Sequence, residues 1–394
     1  MFSISHMKIL GIETSCDETA ISLIEVNQKK QTVHILGNTV HSQIDIHASY
    51  GGVFPTLAKR EHQANLVPVL ARTLAEAGIH EVGKTPLPPE VEEILFKDYE
   101  LFVAFNKFVP KIKKPDIDFI SVTMGPGLEP ALWVGICFAR ALSLTWNIPL
   151  IACNHMEGHI LTALISKHED LYKLLEPKLP ALSLLISGGH TQIVLMEKPG
   201  TYKILGDTRD DAIGECFDKI ARTLGLQYPG GPKISKLASE ARKECIESPK
   251  PLPRPMIDSD NLDFSFSGLK TAVLYLVQEL TKGTSLTDNQ VKGIARETED
   301  SVTDVIISKI QKAAEEYAAE SIVVGGGVIA NKNIREHLEK FANNSGITLL
   351  LPQFDHATDN GLMIALAGYF NRDKALKPGS EIKATGTLPL GPRS

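Results

Sequence analysis

The sequence predicts an α/β fold of two lobes, each opening on two strands joined by a short polar turn. Three observations carry that expectation. The chain has 394 residues, 43% of them hydrophobic, enough for two lobes that share a cleft. A strand–turn–strand pattern occurs twice, at residues 8–26 and 181–196, which suggests a duplicated fold with a ligand between the copies. Two further strands, near 118–123 and 321–324, run into glycine turns followed by helices, a junction that suits phosphate or close packing.

Taken in order, residues 8–13 form a short apolar strand that enters the turn Thr14-Ser15-Cys16-Asp17-Glu18-Thr19, and 20–26 alternate as the returning strand. Such a turn either offers N–H groups and small hydroxyls to a phosphate or is an ordinary hairpin. Residues 61–77 read as a helix. The strand 118–123 enters Gly125-Pro126-Gly127, and 131–145 is a helix with small and apolar residues on its buried side. The short strand 148–152 feeds a helix carrying His155 and His159. In the second lobe, 181–186 is an apolar strand, Ser187-Gly188-Gly189-His190-Thr191 is its turn, and 192–196 is the returning strand. A helix at 211–224, a rigid loop at 227–232, and one long or two shorter helices at 292–319 follow. The strand 321–324 then enters Gly325-Gly326-Gly327, with a helix starting near Asn331. Residues 82–115, flanked by prolines and holding an amphipathic helix-like piece at 89–108, read as a removable helical insertion, either surface decoration or a partner contact. The expected domains are 7–150, then 151–371 carrying both metal and donor sites, then a loosely ordered tail at 372–394.

The net charge of -6 argues against a protein that coats nucleic acid nonspecifically and leaves a local basic patch possible. Five cysteines, an odd number with no Cys-x-x-Cys pair, exclude a disulfide framework and a zinc finger and fit a reducing cytoplasm. No segment reads as membrane-spanning: the best apolar run, 131–146, contains Arg140 and is too short. Neither a signal sequence nor a transit peptide is legible at the N-terminus.

The chemistry centres on His155-Met156-Glu157-Gly158-His159. Residues four apart share one helical face, so both imidazoles can point at one ion, and Asp359 could complete a His/His/Asp set. Three protein ligands with open positions suit a catalytic metal better than a structural one. The alternative is a pair of ordinary core or surface histidines. Asp17 and Glu18 are candidate proton acceptors or simple turn-capping residues.

The motifs taken together resemble one family. Ile12-Glu13-Thr14-Ser15-Cys16-Asp17-Glu18-Thr19, Tyr50-Gly51-Gly52-Val53-Phe54-Pro55, the histidine pair and Ser187-Gly188-Gly189-His190-Thr191 come first. Phe217-Asp218-Lys219, Tyr228-Pro229-Gly230-Gly231-Pro232, Asp263-Phe264-Ser265-Phe266-Ser267-Gly268-Leu269-Lys270, Gly325-Gly326-Gly327-Val328-Ile329-Ala330-Asn331 and Thr358-Asp359-Asn360-Gly361 complete the set. The chain is similar, colinearly from about residue 8 to 370 apart from 82–115, to the bacterial TsaD family of tRNA N6-adenosine threonylcarbamoyltransferases. The resemblance implies a two-lobed actin-like (ASKHA) fold built from duplicated RNase H-like domains. It implies transfer of threonylcarbamoyl from threonylcarbamoyl-AMP to N6 of the adenosine beside the anticodon in tRNAs reading ANN codons. It also implies one divalent metal, iron in preference to zinc, on His155, His159 and Asp359. Adenylate contacts would fall on Leu185, Ile186, Ser187, Gly188, Gly189, Asp218, Gly231, Ser235 and Asn331. A TsaB-like actin-fold paralogue, a TsaE-like ATPase and tRNA are the implied partners. Archaeal and eukaryotic relatives place a metal-ligating Tyr where this chain has Leu185, so substrate or water would fill that position here.

Three rivals remain on the residues alone. A sugar or acetate-type kinase of the same fold would use Mg-binding carboxylates without a His pair. A metalloprotease needs Glu directly after the first His, whereas Glu157 lies two positions on, roughly 200° around the helix. An actin-like assembly protein needs no metal triad.

Overall fold

The computed structural model describes residues 6–198, 200–282 and 284–393. The chain forms two compact units. The first unit opens with β1 (His6–Glu13), β2 (Glu18–Asn27) and β3 (Thr32–Ser42), an antiparallel meander. Then come α1 (Ile44–Ala48), α2 (Pro55–Glu76), α3 (Glu90–Leu95), α4 (Tyr99–Phe108), β4 (Phe119–Gly125), α5 (Glu129–Trp146), β5 (Leu150–Asn154) and α6 (His155–Thr162). The hairpin β6 (Ile165–His168) and β7 (Leu171–Leu174) extends the sheet beyond β3, giving the order β5-β4-β1-β2-β3-β7-β6. β1 pairs in parallel with β4, and β4 with β5. Central strands of such a sheet are covered on both faces, so Ile9, Leu10 and Ile12 of β1 are all buried.

The second unit repeats this plan. Its elements are β8 (Ala181–Ile186), β9 (Thr191–Lys198), β10 (Thr201–Asp207), α7 (Ile213–Thr223), α8 (Gly230–Lys243), α9 (Ser267–Leu280), α10 (Asp288–Glu316), β11 (Ser321–Gly325), α11 (Lys332–Ser345) and β12 (Thr348–Leu350). The order β10-β9-β8-β11-β12, with two antiparallel and two parallel pairings, matches β3-β2-β1-β4-β5 strand for strand. The expected duplication is present. Each copy has its own core: Leu70, Phe138 and Trp146 are among the residues of the first, and Phe217, Phe264 and Phe266 of the second.

The last helix, α12 (Gly361–Phe370), returns to the first unit and packs on β1, β2 and β4. Backbone touches backbone there. A Cβ on Gly11 would lie 2.3 Å from the Ala365 nitrogen, and one on Gly361 would lie 2.3 Å from the Ser22 nitrogen.

Several expectations need correction. The first unit holds the chain through Glu176 together with Thr358–Leu390, so the break is not at 150, and the histidine helix and Asp359 belong to the first unit rather than to a 151–371 lobe. The reason is that β5 completes the first sheet and leads directly into α6. The tail is not loose. Leu376 pairs with Leu150, the Thr385 amide donates to the Met124 carbonyl at 2.9 Å, and Ile382 and Ala384 are buried. Residues 82–115 are not a removable excursion, because Val91, Leu95, Leu101, Phe105, Val109 and Ile112 are part of the first core. Asp98, in the break between α3 and α4, is buried against Lys59 at 3.0 Å. Helix α2 starts at Pro55 rather than near 61, since proline suits the first helical position. Gly230 already begins a helix instead of lying in a loop, and 288–316 is one helix opened by a Thr287/Gln290 capping box.

Candidate active site

The site in the first unit is built where β5 becomes α6. Asn154 makes that switch: its Oδ1 accepts from the amides of Met156 at 2.8 Å and Glu157 at 3.3 Å, which caps the helix. His155 and His159 then fall on one face with their Nε2 atoms 3.2 Å apart. Asp359 reaches the same point from far along the chain, its Oδ1 lying 3.0 Å from His159 Nε2 and 3.6 Å from His155 Nε2. The carboxylate is delivered by α12, whose N-cap is the next residue: Asn360 Oδ1 accepts from the Met363 amide at 3.0 Å. The close approach of Gly361 to β2 therefore sets where Asp359 stands.

One functional candidate escaped the sequence reading. Glu13, fully buried at the end of β1, lies with Oε2 3.2 Å from His155 Nδ1, and Ser15 Oγ is 3.1 Å from the same nitrogen. A carboxylate at Nδ1 holds a proton there, so that a cation displacing the Nε2 proton would find that nitrogen turned toward Asp359 and His159. Glu13 is held in turn by the Ser15 amide and the Thr123 hydroxyl, each donating at 2.5 Å. Burial alone would raise the Glu13 pKa, but the charge and hydrogen bond of His155 outweigh it and hold it below the usual value. Burial likewise opposes charge on His155, yet Asp359 and Glu13 push it up to about 9. A signal was present in the sequence: a carboxylate closes the apolar run of residues 9–12.

The donor set fits a divalent cation. Two imidazole nitrogens and a carboxylate oxygen all lie within 4.8 Å of one another, two of the three residues are buried, and Glu13 stands behind His155 as a carboxylate does behind a metal-ligating histidine. Two histidines and one carboxylate with open positions is a set used by non-haem iron, and zinc accepts the same atoms. Glu157 faces elsewhere, accepting from Asn371 Nδ2 at 2.8 Å, so the water-activating geometry of a zinc protease is not built. Asp17 lies in the turn after Glu13 and Glu18 opens β2. Burial first, then Asp17, raises the Glu18 pKa well above the usual range, and Ser42 Oγ donates to Glu18 at 3.1 Å.

In the second unit the predicted adenylate contacts divide. Gly188 and Gly189 have no positive φ, and a Cβ at either would meet nothing within 4 Å, so neither torsion nor packing calls for glycine. Bare backbone facing open space is what a ligand cradle needs. Ser187 shapes the turn, its Oγ accepting from the amides of Gly189 and His190 at 3.3 and 3.1 Å. At Gly231 the nearest atom to a Cβ is 4.0 Å away, and Ser235 lies one turn later on the same helix, half-buried. Leu185 and Ile186 are fully buried, main chain included, and pair with Gln192 and Thr191 of β9, so neither presents a surface to a ligand. Asp218 is not a free surface carboxylate: it accepts from the Gly230 amide at 2.6 Å at the start of α8, and burial raises its pKa. Asn331 caps α11 through the Ile334 amide at 3.1 Å and donates to Glu299 at 2.5 Å, so its polar atoms serve the fold. Gly326, at φ +95°, brings the triple glycine against Ile186, where a Cβ would lie 2.4 Å from the carbonyl oxygen.

A family description, TsaD tRNA N6-adenosine threonylcarbamoyltransferase, matches residues 34–82 and 104–366. The chain belongs to the TsaD family. It is accordingly an enzyme of the transferase class. The unmatched stretch between the two matches carries α3 and the first half of α4. A tRNA N6-adenosine threonylcarbamoyltransferase of Thermosipho africanus is 41% identical over 385 residues, covering 98% of this chain and 100% of the relative. The Bacillus subtilis protein of the same name is 37% identical, covering 98% and 96%, and that of Polynucleobacter asymbioticus is 38% identical, covering 98% of each. Among solved structures, full-length HypF in a phosphate- and nucleotide-bound form superposes with a TM-score of 0.51 at 10% identity, covering 93% of this chain and 46% of that one. That likeness concerns the fold alone, an actin-like ASKHA architecture of the kind the duplicated sheets describe. TsaD membership displaces the kinase, protease and assembly readings.

Proposed function

We propose that this enzyme transfers threonylcarbamoyl from threonylcarbamoyl-AMP to N6 of the adenosine next to the anticodon in tRNAs reading ANN codons, forming t6A and releasing AMP. The observation that carries the reading is the convergence of His155, His159 and Asp359, with Glu13 fixing the tautomer of His155. His155, His159 and Asp359 would hold one divalent ion, iron in preference to zinc. When bound, that ion supplies Lewis-acid polarisation of the donor's oxygens.

The donor is a mixed anhydride with a good leaving group, and the acceptor amine is a weak nucleophile because its lone pair is delocalised. Orientation and charge stabilisation therefore dominate the task. Backbone at Ser187, Gly188, Gly189 and Gly231 takes the adenylate, with Ser235 beside it. Leu185 and Ile186 support the turn from within the sheet, while Asp218 and Asn331 set the starts of α8 and α11. Asp17 and Glu18, in and just after the turn that follows Glu13, are the candidate proton acceptors. All five cysteines are free, and among the described residues no helix is long and apolar enough to cross a membrane; both facts support a cytoplasmic site of action. A TsaB-like paralogue and a TsaE-like ATPase complete the reaction system.

The reconstitution that tests this combines the protein with such partners, a donor-forming enzyme, threonine, bicarbonate, ATP and tRNA, followed by mass spectrometry of the nucleosides. Threonylcarbamoyl-adenosine confined to ANN-reading tRNAs is expected. Unmodified tRNA in the full system overturns the proposal.

A further inference from the structure

The loop between α1 and α2 carries two aromatic rings that the fold does not use. Tyr50 is 64% exposed and Phe54 is 51% exposed, yet their rings lie nearly parallel, 19° between planes and 5.8 Å between centroids. Gly51 at φ +68° helps turn the chain so that the two meet. Phe54 also occupies the N-cap of α2, where it supplies no side-chain capping hydrogen bond and where Ser, Thr, Asp or Asn would stabilise the helix. An exposed aromatic in a position where local structure prefers a small polar residue points to a use outside folding.

That loop is fixed to the metal-site turn through buried groups. The Phe54 amide donates to His47 Nδ1 at 3.3 Å, so His47 Nε2–H faces Gln43 Oε1 at 3.1 Å. Gln43 Nε2 then donates to His62 Nδ1 at 3.4 Å, and His62 Nε2–H donates to the Cys16 carbonyl at 3.0 Å. The Gln43 amide donates to the Asp17 carbonyl at 2.9 Å. Gln43, His47 and His62 are fully buried, and every proton assignment along the chain is consistent with the next. Cys16 and Asp17 are continuous with Glu13 and Ser15, which contact His155.

We infer that Tyr50 and Phe54 are a stacking platform for an unpaired nucleobase of the RNA acceptor, held in register with the metal ligands by the Gln43–His47–His62 network. The inference rests on the RNA-acceptor reading above. A flat π face accepts any base, and single-stranded loop bases splayed onto aromatic rings are the usual mode of RNA recognition. Arg60, exposed on the sixth residue of α2, supplies a cation for the adjoining phosphate.

The test is fluorescence anisotropy of the full-length, metal-loaded protein with an anticodon stem-loop RNA and with a blunt duplex of equal length. Tyr50→Ala and Phe54→Ala should each weaken stem-loop binding about tenfold, the scale of one lost base stack. Neither should alter duplex binding or metal content. Tyr50→Phe and Phe54→Tyr, which keep the rings, should bind like the parent. Phe54→Trp should show indole quenching on addition of the stem-loop, above the background of Trp133 and Trp146. Undiminished stem-loop affinity in the double alanine variant overturns the platform while leaving the acceptor reading intact. So does a change in oligomeric state without a change in RNA affinity, which would assign the rings to a protein contact. No stem-loop binding by the parent protein defeats the acceptor reading and the platform together.

Discussion

Glu13 is the residue on which the geometry of the site turns, because it decides which nitrogen of His155 carries a proton. Glu13→Gln keeps the shape and loses the charge, and metal affinity should fall about 10–100-fold, the usual effect of removing a carboxylate behind a histidine ligand. Metal titration against a competing chelator reads this, and unchanged affinity would show that His155 needs no orienting partner. His62 makes a separate prediction. Burial, its largest influence, lowers its pKa from 6.5 to about 4. A histidine held neutral in the fold but free to charge when unfolded stabilises fully above about 6.5, and that contribution is lost as pH falls toward 4. The shift corresponds to ~3 kcal/mol at most. Unfolding in urea at neutral and mildly acid pH should show a shallower acid loss for His62→Gln than for the parent. An identical pH slope would mean that His62 is not the group responsible.

Among the elements, glycine contacts place α12 and short helices complete the first core. Gly361→Ala would place a Cβ 2.3 Å from the β2 backbone, so α12 must shift and take Asp359 with it. Metal affinity should drop while α6 stays folded; retained affinity would show that α12 does not set the third ligand. Phe105 in α4 meets Phe138 of α5 edge-on at 5.9 Å in the first core. Phe105→Ala should cost about 3–5 kcal/mol in denaturant unfolding. A loss near zero would restore the reading of 82–115 as surface decoration. The strands β1, β4, β8 and β11 were legible because each is a short apolar run ending in a polar or glycine turn. β3 was not, since only alternate stretches of it are buried and His34, Asn38 and His41 interrupt its apolar pattern. The prolines around 82–115 suggested hinges of an excursion, but the stretch outside the family match is only 83–103, and prolines say nothing about burial, which depends on what α2 and α5 leave uncovered.

At the scale of the whole molecule, a late helix joins an early sheet, and this is what a linear reading could not supply. His155 and His159 were visible from spacing, and Asp359 as a carboxylate that could complete the set, but their common unit follows from α12 crossing back to β1. Leu185, Ile186, Asp218 and Asn331 were legible as motif residues, while their packing and capping work depends on neighbours distant in sequence. The division of labour predicts that Gly189→Val, which fills the open turn of the second unit, abolishes binding of a non-hydrolysable threonylcarbamoyl-adenylate analogue in calorimetry. Metal content should be unchanged, because the ligands lie in the other unit. Normal analogue binding would remove the Ser187–Gly189 turn from the donor site.

The central claim is that His155, His159 and Asp359 hold a metal that the transfer requires. Its most direct test is elemental analysis of the parent and Asp359→Asn proteins, paired with mass spectrometry of tRNA nucleosides after supplying threonylcarbamoyl-AMP and the partner proteins. Near-stoichiometric metal and modified adenosine are expected for the parent, with both lost together in Asp359→Asn while the thermal melt of the metal-free proteins stays matched. Full metal occupancy or undiminished modification in Asp359→Asn would contradict it.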